Sequence, residues 1–404
     1  MKRILALILA LSMVSACLMG CSSESTNTDT VEATTTPAVQ EETAAETEET
    51  PEPIILKEMD MEKLYALHDP DEVVATVDGN DVTWGEYFYM IFYNYQSMLS
   101  YFSSMASYYG IAIDWSEPIG DGSEDTYASY ILTCVEGDLI THNTIRGFAN
   151  KNSVELSQES IDAIAETHKN NVTSLCGEGA SEEDFDNYLA SIYMPRSMYD
   201  DNNKLNHLYQ ETFTKLFGKD AALLSDEEAI KYLESNEYMA ADHILLMTID
   251  STTQEALDEA TVAEKKAQAE DIAAQLKAIK DTEELKKKFA ELKEQYSEDT
   301  GAAYYPDGYT FTPGTMVTEF EDACKALGDY EVSDIVESPY GYHIIMSKPL
   351  NPDAIIEFTS EGSTMTGRKM AANTAYGKSL DDYAASVEIS YTEGFERPNM
   401  EAYF

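Results

Sequence analysis

The sequence predicts an α+β chain, with a mainly helical lobe followed by a segment that opens and closes on a strand. Three observations point there. Between Thr83 and Phe217 apolar residues recur at helical spacing, several times behind capping patterns. From Tyr238 to Leu350 the apolar runs take the order β-α-α-loop-α-β. Ahead of both lies a long stretch with too few apolar side chains to fold.

The chain begins MKRILALILALSMVSACLMGCSSES, with a basic start at Lys2 and Arg3, an apolar run from Ile4 to Met19 and an abrupt change to polar residues. This is the pattern of a secretory signal, expected over residues 1–20. Leu18-Met19-Gly20-Cys21 resembles a bacterial lipoprotein cleavage box, which would make Cys21 the lipidated residue. Val14-Ser15-Ala16-Cys17 fits the box as well, but cleavage there would leave Leu18 and Met19 exposed. Residues 21–57 are mostly Thr, Glu, Ala, Ser and Pro, so little offsets the entropy of ordering them, and they read as an acidic tether.

The formal charge is −49, and two cations leave with the signal. A polyanion is a poor candidate for nucleic acid or for anionic lipid surfaces. Beyond the leader stand Cys134, Cys176 and Cys324, an odd number with no C-x-x-C and no metal-ligand spacing. A Cys134–Cys176 disulfide is not indicated by that pattern.

Taken in order, VVATVDGNDVT (73–83) reads as a short strand, a turn around Asp78-Gly79 and an extended piece leading to a helix that opens at Thr83. No residue from Tyr87 to Ile113 is charged, and aromatic side chains crowd the segment. Such a length could span a membrane. Ser97, Ser100, Ser104 and Ser107 form a polar seam, however, Asn94 and Gln96 sit mid-segment, and much of the bulk is tyrosine. A helix apolar on most sides is otherwise buried or lines an apolar groove.

Further helices are expected over 124–151, 157–172, 181–191 and 195–217, two of them opened by Ser157-Gln158-Glu159-Ser160 and Ser181-Glu182-Glu183-Asp184. A short helix after Ser225-Asp226-Glu227-Glu228 leads to a strand at Tyr238 to Ile249. After a polar insertion come helices over 261–280 and 282–295, the first with Ile272, Leu276 and Ile279 on one face. An irregular stretch from Ser297 to Pro313 precedes a short helix holding Phe320 and Cys324, then the strand around His343. From Pro352 onward a polar helix and a terminal strand, VEISY, remain. The implied segments are 1–20, 21–57, 58–236, 237–350 and 351–404.

Four pieces of this second half belong together. MAADHILLM carries His243, QYSEDTG carries Asp299, PGTMVTEFEDA carries Met316 and Phe320, and SPYGYHII carries Tyr340 and His343. A histidine delivered by an aromatic-Gly-aromatic turn into an apolar strand suits a core residue, a metal ligand or a reaction site. The ordered patterns A-x-H-I-L, Y-S-x-D, M-V-x-E-F and G-Y-H-I-I resemble the parvulin family of peptidyl-prolyl isomerases. With the lipoprotein-like start and VVATVDGNDVTWGEY, nearly all of the mature chain resembles the PrsA foldases and their SurA relatives.

That resemblance implies a helical chaperone lobe and a parvulin-like domain, a small antiparallel sheet flanked by helices. It implies X-Pro cis-trans isomerisation on the extracytoplasmic face of the cell membrane. The partners would be unfolded or partly folded exported proteins, the membrane through the N-terminal lipid, and a second copy through the helical lobe. No cofactor, metal or nucleic acid is implied. His243 and His343 would face each other from adjacent strands, hydrogen-bonded behind the substrate amide, with Asp299 polarising nearby. Met316 and Phe320, four apart on one helical face, would hold the proline ring, with Tyr340 as a further substrate contact.

Plainer readings stand beside these. Met316 and Phe320 could be ordinary core, and the histidines a buried pair that ties strands together. A zinc site of His243, His343 and Asp299 has no supporting ligand spacing. Where the family has a G-G-D-L-G turn this chain has Tyr305-Pro306-Asp307-Gly308-Tyr309, with Gly308 in place of the leucine that walls the pocket. This departure favours a second function, a binding module that keeps the isomerase shape without turnover. In either case the aromatic helix from Tyr87 to Phe102 is expected to contribute client surface, with core packing as the alternative for its individual residues.

Overall fold

The computed structural model describes residues 56–110, 114–120, 122–358 and 363–404. The signal, Cys21 and most of the tether lie outside the described residues. The chain divides into two compact units, one comprising the described residues up to Thr212 together with Ser379–Phe404, the other Phe213–Lys378. The divisions fall at Thr212 and Lys378, so residues 213–236 and 351–378 join the unit that carries His343.

The first unit begins with α1 (Met61–Tyr65), the hairpin β1 (Val73–Val77) and β2 (Asn80–Thr83), and α2 (Trp84–Tyr109). Thr83 caps α2 as the sequence implies: its hydroxyl accepts from Glu86 N–H while the Glu86 carboxylate accepts from Thr83 N–H. α3 (Tyr127–Lys151), α4 (Gln158–Cys176), α5 (Glu182–Ser191) and α6 (Arg196–Phe217) follow.

Helix α2, uncharged beyond Glu86, supplies much of the core of this unit. Trp84, Tyr87, Phe88 and Ile91 have no exposed surface, and Tyr89, Met90, Tyr95 and Phe102 are also buried. Most of the expected client surface is therefore interior packing. Tyr101, Tyr108 and Tyr109 remain open toward the C-terminal end of α2. Asn94 donates to Asp138 of α3 at 2.7 Å and to the Met90 carbonyl, which satisfies a polar group inside an apolar helix. No helix among the described residues is long and apolar enough to cross a membrane.

The second unit contains α7 (Asp226–Ser235), β3 (Met239–Met247), α8 (Glu259–Ala278), α9 (Thr282–Tyr296), β4 (Tyr309–Phe311), α10 (Thr318–Ala326), β5 (Val336–Ser338) and β6 (Gly341–Lys348). A small hairpin, β7 (Ile355–Phe358) with β8 (Thr364–Thr366), precedes α11 (Gly367–Ala384). The last strand, β9 (Ile389–Tyr391), returns to the first unit, where it pairs antiparallel with β1 in the order β2-β1-β9.

The sheet of the second unit is antiparallel throughout, in the order β4-β3-β6-β5. Side chains alternate between its faces. Ile244 and Leu246 of β3, with Tyr342, Ile344 and Met346 of β6, face α8 and α9, where Ile272, Leu276, Leu285 and Phe289 meet them. Ala241 and Ile345 point the other way, onto Phe311, Phe320 and Cys324. Cys134, Cys176 and Cys324 are free thiols.

Candidate active site

His243 lies two residues from Ala241 on β3, and His343 two from Ile345 on β6, so the two-residue period sends both rings to the face covered by α10. The register pairs His243 with Ile345 and Leu245 with His343, which sets the histidines diagonally. Their ring centroids are 5.2 Å apart. Both are buried, at 8% and 4% exposed.

The pair is not joined by a hydrogen bond, contrary to the expectation from resemblance. His243 Nε2 lies 3.0 Å from Asp299 Oδ2, and His343 Nε2 lies 2.7 Å from Ser338 Oγ. The diagonal register explains the difference, because each ring reaches another partner first, Asp299 after α9 for His243 and Ser338 at the end of β5 for His343. Nδ1 of each histidine is buried without a protein partner.

Asp299 caps the short turn Thr300–Ala303, its Oδ1 accepting from Gly301 N–H at 2.9 Å. Its Oδ2 also accepts from the Tyr309 hydroxyl at 2.7 Å. Burial works to raise this carboxyl, but the hydrogen bonds from His243 and Tyr309 hold it down at about 2. Asp299 is thus an acceptor only, and the proton between it and His243 belongs on His243 Nε2. Burial, reinforced by His243, lowers His343 to about 3 against a smaller opposing pull from Asp299, so this ring is neutral.

Met316, Phe320 and Tyr340 line the same cleft of about 560 Å³ as His243, Asp299 and His343. All six residues singled out in this segment therefore share one cavity. Met316 stands in the loop ahead of α10, which starts at Thr318, so it does not share a helical face with Phe320. What holds it is Glu321, a buried residue whose Oε1 accepts from Gly314 N–H at 2.7 Å and Met316 N–H at 3.0 Å. The Phe320 ring packs edge-on to both imidazoles, at 5.2 and 5.7 Å. Ser251 and Gln254, from the polar insertion after β3, also line the cleft.

Sequence reasoning missed Tyr309, Ser338 and Glu321. Tyr309 stood only in the departure from the family turn. Ser338 could have been found from the hairpin register, in which Ser338 and Gly341 close a two-residue turn leading to His343. Gly308 has a physical requirement of its own. Its φ is +86°, and a Cβ there would stand 2.6 Å from the Ala241 carbonyl oxygen, so a side chain at this place would collide with β3.

Such a cleft can grip a small ring against Met316 and Phe320 while presenting neutral imidazole and a fixed carboxylate to an adjacent amide. Rotation about an X-Pro bond breaks no covalent bond; it needs the twisted amide to be bound better than the planar one. Neither a nucleophile nor a metal is required for that.

Comparison with known proteins agrees on the segment. Residues 243–348 match the family model described as Rotamase, the PPIC-type PPIASE domain. A Foldase protein PrsA from Geobacillus sp. (strain WCH70) is 40% identical over 130 residues, 28% of this chain and 45% of that protein. The Foldase protein PrsA of Oceanobacillus iheyensis is 27% identical over 195 residues, 48% of this chain and 56% of that one. The chain thus spans about half the length of the curated relatives it matches. The crystal structure of PrsA from Bacillus subtilis aligns at 18% identity over 83% of this chain and 98% of that one, with a TM-score of 0.23. Residues 243–348 are a PPIC-type peptidyl-prolyl isomerase domain, in a chain similar to PrsA foldases.

Proposed function

We propose that the chain is an extracytoplasmic foldase, anchored by lipid at Cys21, whose second unit speeds X-Pro isomerisation in newly exported proteins. The observation that carries the reading is the convergence of His243, Asp299, His343, Met316, Phe320 and Tyr340 on one cleft. In this reading Met316 and Phe320 hold the proline ring and Tyr340, at the exposed rim, contacts the flanking residue. The two imidazoles and the Asp299 carboxylate set the field at the rotating amide, where a dry, fixed array favours the twisted state. The uncatalysed exchange takes tens to hundreds of seconds, long enough to limit folding. The helical unit would hold the client, and self-association through it would give a homodimer.

The test is exchange of a short X-Pro peptide followed by NMR with the full mature chain and with His243→Ala and Phe320→Leu variants that keep their fold. Acceleration by the parent, lost in the variants, supports the reading. A folded parent that accelerates no X-Pro peptide sinks it and leaves a holdase of the same shape. The turn Tyr305 to Tyr309, which lacks a leucine wall, favours that second reading. Radiolabelled palmitate incorporation lost in Cys21→Ala, with Cys17 intact, tests the anchor.

A further inference from the structure

Asp299 receives three hydrogen bonds, and one of them comes from Tyr309, within the turn where this chain departs from the family pattern. The Tyr309 hydroxyl donates to Oδ2, the same oxygen that faces His243 Nε2. Four features place it there. Tyr309 pairs with Ala241 on β3, which puts its ring on the face that carries His243. Its ring lies 4.9 Å from that of Tyr305 and 5.5 Å from that of His243. Gly308 lets the chain approach β3 closely enough for the strand to form. Gly301 leaves room for the hydroxyl, since a Cβ there would collide with Tyr309 Oη.

We propose that Tyr309 is a positioning residue for the isomerase site, acting through Asp299 on His243. The phenol fixes the orientation of the carboxylate and shares its charge, so that His243 keeps a proton on Nε2 and its ring is held in one orientation inside the cleft. Burial, with Asp299 beside it, keeps the Tyr309 hydroxyl protonated and hence a donor at any working pH. The altered turn thus supplies a phenolic anchor for the carboxylate of the site. This inference rests on the isomerase reading proposed above.

The test uses the full mature chain, with Tyr309→Phe to delete the hydroxyl and Gly301→Ala to displace it while leaving the tyrosine in place. A hydrogen bond to a charged group is worth enough for a loss of about 10-fold or more in kcat. We expect that loss with KM within about twofold, because the proline contacts are untouched. Nitrogen-15 shifts of His243 should show one tautomer in the parent and a mixture in Tyr309→Phe, a change that mere structural packing would not produce. If the parent turns over and the folded variants match it in kcat and tautomer, Tyr309 has no positioning role. If the parent itself is silent, the isomerase reading fails and this inference falls with it. Should Tyr309→Phe fail to fold, Gly301→Ala decides on the same readouts.

Discussion

Replacing His343 by Gln should remove an acid sensitivity that the second unit carries. The ring is 4% exposed, and burial beside His243 sets its pKa at about 3, against about 6.5 in an unfolded chain. Between those values the unfolded chain binds the proton and the folded one does not. Stability is therefore undiminished above about pH 6.5 and falls as the pH drops toward about 3. The loss from this residue is about 2 kcal/mol at pH 5 and about 5 kcal/mol once both states are protonated. Urea unfolding of the full chain at pH 7.5 and pH 5 measures it. Both tryptophans, Trp84 and Trp115, lie in the first unit and would miss the event. Cys324 reports it instead, being buried in the second unit with its thiol pushed up to about 12 by burial. Labelling by a disulfide reagent that works in acid, with peptide mapping, separates it from Cys134 and Cys176. The parent should lose about 2 kcal/mol more than His343→Gln between the two pH values. An equal loss in both proteins would refute a ring held neutral by burial.

Three other outcomes follow from the packing and charges described. Phe320→Ala should destabilise the second unit by about 3 kcal/mol, since it empties the centre of the Phe311–Cys324–Ile345 cluster; Cys324 labelling in urea checks it. Glu321→Ala should cost about 2 kcal/mol by orphaning the Gly314 and Met316 amides. The freed Met316 should raise KM for X-Pro peptides, while Glu321→Gln retains most of both properties. Burial pushes the Asp138 carboxyl up to about 6, whereas the unfolded group ionises near 3.9. Its cost is absent below about pH 3.9, grows between there and about pH 6 and is fully present at pH 7, so Asp138→Asn should be more stable than the parent at pH 7 by tryptophan fluorescence. A variant no more stable there would count against a carboxyl whose charged form is destabilised by burial.

Much of the fold was legible because its determinants are local. Thr83, Ser157, Ser181 and Ser225 cap the helices they were expected to open, each hydroxyl accepting from the backbone three residues on. Once MAADHILLM and YHIIM are read as strands, their two-residue period separates the face toward α8 and α9 from the site face. The residues that complete the site were less legible. Tyr309, Ser338 and Glu321 act through contacts set by strand register and by a loop folded back on α10. The position of Met316 outside that helix depends on where Val317 ends the loop, which spacing alone does not fix. The β7–β8 hairpin and the return of β9 to β1 depend on pairings that leave little mark on composition.

That returning strand has a consequence for synthesis. Ala75 of β1 pairs with Tyr391 of β9, so the innermost strand of the first sheet lacks one neighbour until the chain has been made past residue 391. The whole span 213–378 emerges in the meantime. A continuous unit can complete itself during that interval, whereas the discontinuous one must wait and bear the entropy of closing the larger loop. In a chain threaded from its N-terminus the catalytic fold is thus able to form first, and the helical lobe becomes whole only as the last strand arrives.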